Sequence, residues 1–341
     1  MEREITAPVD LCTPAGRLDR AAVGWTRRPL HRCALPGSWG RRKRWDFWSV
    51  VGPDLACNLT YADVDYVGIV DVWCVELSTG RTIERSVPVP LARGLALPDE
   101  VGGAPLHHEG GGLEVAISEV DGGTRLRVAF GDGAAGGEAF DLDVLVHRPA
   151  GHESLGVVIP WSDRRFQYTT KDVARPAGGT VEWGEQVVTL DPDDGRSWGC
   201  LDFGRGKWPY RTRWNWGAGA GLASGVRVGL QLGGRWTVGT GMTENALCVD
   251  GRLSKVSEEL EWTYDRRDWL RPWRVRTPRS DRVDLTFTPV YDKVSRLQLG
   301  VASQAVDQCF GAWSGTVVPE GDRPLTIDGL FGWAEEASWR W

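Results

Sequence analysis

Between residues 45 and 90 the chain falls into short apolar-rich runs, WDFWSVV, LACNLTY, YVGIVDVWCVEL and RTIERSVPVP, separated by Gly-Pro and Ser-Thr-Gly turns. Runs of this length, rich in Val, Trp, Tyr and Thr and bounded by turn residues, predict an antiparallel meander. The rhythm continues through GLEVAISEV and TRLRVAF, then, after a Gly-Ala stretch, FDLDVLVHRP, SLGVVIPW, RFQYTTKDV and TVEWGEQVVTL. Asp121-Gly122 joins two of these runs as a hairpin signal, since a type I′ turn needs positive φ at both central residues. A second set follows residue 223, with SGVRVGLQL, RWTVGTGM, ALCVDGRLSKV, ELEWTYD, WRVRTP, RVDLTFTPV, LQLGVAS and GTVVP. No segment of twelve residues carries a convincing helical period. SQAVDQCFG (303–311) and the terminal AEEASWRW are each expected to form at most a turn or two of helix.

Strands at this spacing with Gly-rich turns predict sandwiches or barrels. Two sets flanking a central stretch predict an all-β protein of two such antiparallel units in tandem, with the break at Pro176–Thr180 dividing the chain into 1–178 and 179–341. Residues 1–44 show no sustained period and are rich in Pro, Arg and Gly. They are expected to form an extended arm that packs through Ile5, Val9, Leu11, Val23 and Trp25.

Composition changes this picture in one respect. Hydrophobic residues at 41% and charged residues at 25% are ordinary for a globular protein, but 19 Trp in 341 residues are not. An indole is a large apolar body with one N–H donor, so such a β-protein either fills wide gaps between sheets or lines a ligand cavity. The net charge of −6 argues against a nucleic-acid partner. The run RRKR at Arg41–Arg44 is read as a solvated edge beside a strand. Seven scattered Cys without a C-x-x-C pair are expected to be free thiols in a reducing cytosol. With no apolar leader and no membrane-length apolar run, a cytoplasmic protein without stable membrane insertion is expected.

Candidate chemistry concentrates in the central stretch, residues 197–221. Asp202 among aromatic walls is either a desolvated general acid or, paired with Arg205, an ionised anchor or a structural brace. Arg205, Tyr210, Arg211 and Asn215 are expected to orient a substrate, and Trp208, Trp214 and Trp216 to wall the site. Strand alternation places Trp214 and Trp216 on one face and Asn215 on the other. Glu244 and Asn245 supply a further acid and amide. At the C-terminus Trp333, Glu335 and Glu336 repeat the same chemistry, and they lie beside the central stretch if the last strand pairs with the first of the second unit.

The Asp202–Gly206 loop lacks the GK[ST] ending and the following helix that a nucleotide site needs. His107-His108-Glu109 lacks metal-site spacing, so neither a metal nor a cofactor is expected. There is no G-x-S-x-G elbow to favour a hydrolytic triad.

The segments ITAPVDLC, AAVGWTRRPL, WGRRKRWDFWSV, LDFGRGKWPYRTRWNW, TENALCVDGRLSKV and FGWAEEASWRW, with Pro272-Trp273, resemble the bacterial domain-of-unknown-function family numbered 2804 across nearly the whole chain. More distantly, the order around Gly179–Leu232 and the terminal glycine-aromatic-x-Glu pattern are similar to tandem lipocalin-like proteins that include carotenoid hydratases and tocopherol cyclases. That likeness implies two packed lipocalin-type barrels and a cavity for apolar, isoprenoid-like molecules. It also implies an acid that protonates an alkene. Asp202 falls at the family's Asp-His-x-Trp motif, but here Phe203 stands for the His and Arg205 for the Trp.

Together these readings point to a cofactor-independent cyclase, isomerase or hydratase for an apolar natural product, its acid drawn from Asp202, Glu244, Glu335 and Glu336. The site is expected in or beside the 179–341 unit. A non-catalytic carrier of a lipid or pigment is the competing class. A structural module, with no cavity above roughly 300 Å³, is the third.

Overall fold

In the computed structural model, which describes residues 2–131, 138–300 and 302–341, the regular secondary structure is almost entirely strand. The arm carries β1 (Val9–Asp10), a single 3-10 turn at Arg20–Ala22, β2 (Trp25–Thr26) and β3 (His31–Arg32). A meander follows of β4 (Arg42–Val51), β5 (Leu55–Asp63), β6 (Val67–Glu76) and β7 (Arg81–Pro90). Next come β8 (Leu106–Gly110), β9 (Leu113–Val120), β10 (Gly123–Phe130), β11 (Phe140–His147) and β12 (Leu155–Ser162). The long β13 (Arg165–Trp183) leads to β14 (Gln186–Leu190) and β15 (Trp198–Lys207). The remainder comprises β16 (Arg211–Ala223), β17 (Val226–Gly234), β18 (Asn245–Val249), β19 (Arg252–Val256), β20 (Glu261–Thr263) and β21 (Trp273–Arg276). Three long strands end the chain, β22 (Val283–Leu299), β23 (Ala302–Val317) and β24 (Leu325–Arg340).

Two large antiparallel sheets result. The first runs β7-β6-β5-β4-β15-β13-β11-β10-β9-β8, and the second β19-β18-β17-β16-β24-β23-β22-β21-β20. In the second, the last strand pairs with the first as the sequence suggests, β24 with β16, and Glu335 lies opposite Trp216. Each sheet has its own apolar core. A third cluster cements the two sheets together, with Trp198 and Trp333 stacked at 5.5 Å. The arm lies against the first sheet through buried Leu11 and Trp25, the latter in β2, which pairs with β12.

Several expectations are corrected. The segments 303–311 and 334–340 are strand in β23 and β24, because each has a registered partner on both sides. RWTVGTGM is a run of turns after Gly234. RFQYTTKDV and the start of TVEWGEQVVTL are one strand, so β13 passes unbroken through the 178/179 division. The change of sheet falls instead between Lys207 and Arg211, which puts Asp202 on the first sheet.

The basic run is no solvated edge, since Lys43 lies buried inside β4 and donates to the Val64 carbonyl at 3.0 Å. Cys57 and Cys74 are not free thiols: β5 and β6 place them directly opposite one another, and they are bonded. The Asp121-Gly122 hairpin forms with positive φ at Gly122 alone. Of the expected LQLGVAS strand, Val301 lies outside the described residues, as does the Gly-Ala stretch at 132–137. No helix among the described residues is long and apolar enough to cross a membrane.

Candidate functional site

A strand turns alternate side chains to opposite faces, so two facing sheets lend every second residue to the space between them. Here that space is a cavity of about 710 Å³. Phe47 and Asp202 from the first sheet look across it at Trp214, Trp216 and Glu335 from the second. Trp208, Trp236 and Trp341 form a further aromatic wall, with Trp208 and Trp236 stacked at 5.7 Å and Trp341 edge-on to Trp208 at 5.6 Å. This volume exceeds the roughly 300 Å³ above which a purely structural module is not expected.

One wall carries a compact set of ionisable groups. Register puts Lys171 of β13 opposite Asp202 of β15, and their side chains form an ion pair at 2.9 Å. Thr169 donates a second bond to Asp202, at 2.8 Å. Lys171 also lies 3.8 Å over the Trp216 ring and 3.7 Å from Glu244 Oε2. Burial would strip its charge, but Asp202 and Glu244 outweigh that cost and hold its pKa above the usual lysine value.

Glu244 precedes β18 and accepts a hydrogen bond from Trp236 Nε1 at Oε1, while Oε2 is buried without a hydrogen-bond partner. Gly233 makes room for it, since an added Cβ there would overlap the Glu244 side chain. Glu335 of β24 accepts from Trp214 Nε1 at 2.7 Å. Burial, reinforced by the charge of Asp202, pushes both carboxyls up to about 7 despite Lys171. Near neutrality each is therefore poised between acid and conjugate base.

Of the residues expected here, the cavity brings together Asp202, Glu244, Glu335, Trp208, Trp214 and Trp216. Arg205 is not among them. Three positions from Asp202 on a regular strand, it points to the opposite face and pairs with Asp46 at 2.8 Å. The same alternation removes three other candidates. Asn215 turns away and donates to Tyr264 Oη at 3.0 Å, and Asn245 braces Gly233 and Glu258. Glu336 sits outside with Tyr264 and Arg266.

Tyr210 and Arg211 occupy the exposed crossing between sheets, with Arg41 5.7 Å above the Tyr210 ring. Trp333 faces inward but lies beneath the cavity in the inter-sheet core, edge-on to Trp216 at 5.0 Å. Lys171, Thr169 and Trp236 were not anticipated. A lysine in the middle of the run QYTTKDV was the one available signal, because an unpaired charge inside a strand needs a partner.

The two raised carboxyls have a thermodynamic consequence. Each binds a proton more tightly in the fold than in the unfolded chain, so its stabilising contribution is full below about pH 4.5 and lost as pH rises through about 7. A shift of this size amounts to about 3 kcal/mol for each group. Urea unfolding of wild type and of the Glu244→Gln/Glu335→Gln double variant between pH 5 and 8 should show the wild type losing stability with pH and the variant much less. Parallel curves would mean that the two groups titrate normally.

No curated protein matches the sequence. Among solved structures, kievitone hydratase from Nectria haematococca is similar in fold, with a TM-score of 0.51 at 9% identity over 90% of this chain and 94% of that one. A Nitrosomonas europaea protein assigned as an AttH gives a TM-score of 0.49 at 13% identity, covering 89% and 98% of the two chains. The likeness to kievitone hydratase, with the all-β architecture, makes the fold the tandem lipocalin-like one that the sequence resembles. Residues 2–341 match the family "Domain of unknown function (DUF2804)", and the chain belongs to that family.

Proposed function

We propose that the protein is a cofactor-independent enzyme of the hydratase, cyclase or isomerase kind, acting on an apolar, isoprenoid-like natural product by proton transfer. The observation that carries this reading is Glu244. It is a buried carboxyl raised to about 7, on the wall of an apolar cavity, with one oxygen held by Trp236 and the other without a hydrogen bond, 3.7 Å from the Lys171 ammonium. A carrier needs no such group. The likeness in fold to kievitone hydratase supports the same direction.

In this scheme the protonated Glu244 gives its proton to one carbon of a substrate alkene. The positive charge left on the other carbon lies among the faces of Trp216, Trp236 and Trp208. For hydration, a water oxygen then bonds to that carbon and surrenders a proton. For isomerisation, a proton leaves the neighbouring carbon. For cyclisation, a second alkene or hydroxyl of the same molecule closes the ring. The Asp202 carboxylate, held in place by Lys171 and Thr169, is positioned to take up the proton released. The proton count balances once Glu244 is reprotonated. Because the acid must begin protonated, turnover falls as pH rises through about 7.

The test is isotopic. The protein is incubated with an apolar extract of the organism that encodes it, in D2O or H2¹⁸O, and the extract is analysed by mass spectrometry. Isomerisation or cyclisation leaves deuterium in a product, and hydration leaves deuterium and ¹⁸O together. A compound that binds and returns with no isotope makes the protein a carrier.

A further inference from the structure

The open end of the cavity has a composition that the chemistry inside does not require. There the β22–β23 hairpin presents Leu297 and Leu299, both lining the cavity yet 45% and 63% exposed. Side chains so placed fall short of covering the opening, and in water they cost free energy. Arg340 donates to the Gly300 carbonyl, so the hairpin sits against the end of β24, and Trp339 and Trp341 stand behind it with ring centroids 4.5 Å apart.

A row of cations continues from that point. Arg340 is paired in register with Arg211, and the backbone of Trp341 bonds to that of Tyr210, over whose ring Arg41 lies at 5.7 Å. Arg165 lies between these charges and Arg164: burial lowers its pKa first, and the nearby Arg41 and Arg164 lower it further. Trp39, 65% exposed, precedes Arg41 by two residues, and Tyr66 on the β5–β6 turn is half exposed above Lys43. Arg42 is neutralised by Asp65 and Arg296 by Asp307. Arg41, Arg164, Arg211 and Arg340 have no such carboxylate among the described residues.

In a chain of net charge −6, a run of exposed and partly exposed arginine and indole that continues from the cavity's exposed leucines is a local reversal of character. We propose that this rim is a docking surface for an anionic lipid membrane, on which the leucines and Trp39 enter the interface, the arginines meet lipid phosphates, and the cavity opens toward the acyl region. Clustered cations attract an anionic surface through its potential, and a few apolar side chains give the contact depth without insertion. The surface would deliver apolar molecules to the cavity whether or not they are transformed there, so it stands apart from the catalytic reading.

Flotation with phosphatidylcholine vesicles, with and without about 30% phosphatidylglycerol, tests it. The wild type should bind the anionic vesicles at least about tenfold better than the neutral ones, and lose most of that advantage in high salt. Leu297→Asp/Leu299→Asp should cost about tenfold in binding, and Arg41→Glu/Arg211→Glu should abolish the preference for anionic lipid. The four leucine and arginine positions are solvent-facing or half so, and an unchanged melting temperature verifies that each variant is folded. Absence of flotation, equal binding to both vesicles, or indifference to the leucine pair would overturn the proposal.

Discussion

Glu244→Gln is expected to lower turnover of the cavity's substrate by about 10²- to 10⁴-fold, the range of a lost general acid, with little change in KM. The amide matches the carboxyl in shape and retains an oxygen for the Trp236 indole, so the wall should keep its form. What disappears is the one proton that can be given from Oε2. Glu335→Gln removes the other carboxyl raised to about 7, which accepts from Trp214 and sits in mid-sheet on β24, paired on both sides. The two variants are therefore distinguishable by their pH profiles: the fall in rate through about pH 7 should vanish with Glu244 and persist without Glu335. If Glu244→Gln retains activity within a few-fold of wild type, the acid is elsewhere.

The local part of this site was legible because alternation is a local property. The trio Trp214, Asn215 and Trp216 divides between cavity and brace as strand geometry requires. The same rule, applied to Asp202 and Arg205, separates them and rules out the pair that the sequence invites. What could not be read was register. Lys171 reaches Asp202, and Cys57 reaches Cys74, only because particular strands pair with particular offsets. Those offsets follow from closing whole sheets, to which no short motif has access.

Glu335 and Glu336 were likewise equivalent in sequence until the pairing of Glu335 with Trp216 assigned one to the cavity and the other to Tyr264 and Arg266. Trp236 lies among turns, and its contribution rests on where the chain after β17 folds back, which carries no periodic signal.

Arg205→Ala is the substitution expected to cost the most stability, about 3–5 kcal/mol, without touching the cavity. Its guanidinium is fully buried and bonds to Asp46 at 2.8 Å, to the Pro98 carbonyl at 2.9 and 3.0 Å, and to the Trp45 carbonyl at 2.7 Å, while lying 3.7 Å over the Phe203 ring. It thus ties β15 to β4 and to the loop before β8. Truncation leaves the Asp46 carboxylate and the Pro98, Trp45 and Gly204 carbonyls without this donor.

Burial already raises the Asp46 pKa and Arg205 opposes the rise, so in the variant it climbs further. Asp46 in the variant then binds its proton more tightly folded than unfolded. The defect should consequently be smallest in acid and grow as pH rises toward neutrality. Asp46→Asn added to Arg205→Ala should recover part of the loss at neutral pH by removing the stranded charge. Urea unfolding of the two variants measures this. Should Arg205→Ala leave stability intact and weaken ligand binding instead, the arginine would belong to the site after all, and the separation of faces on β15 would be wrong.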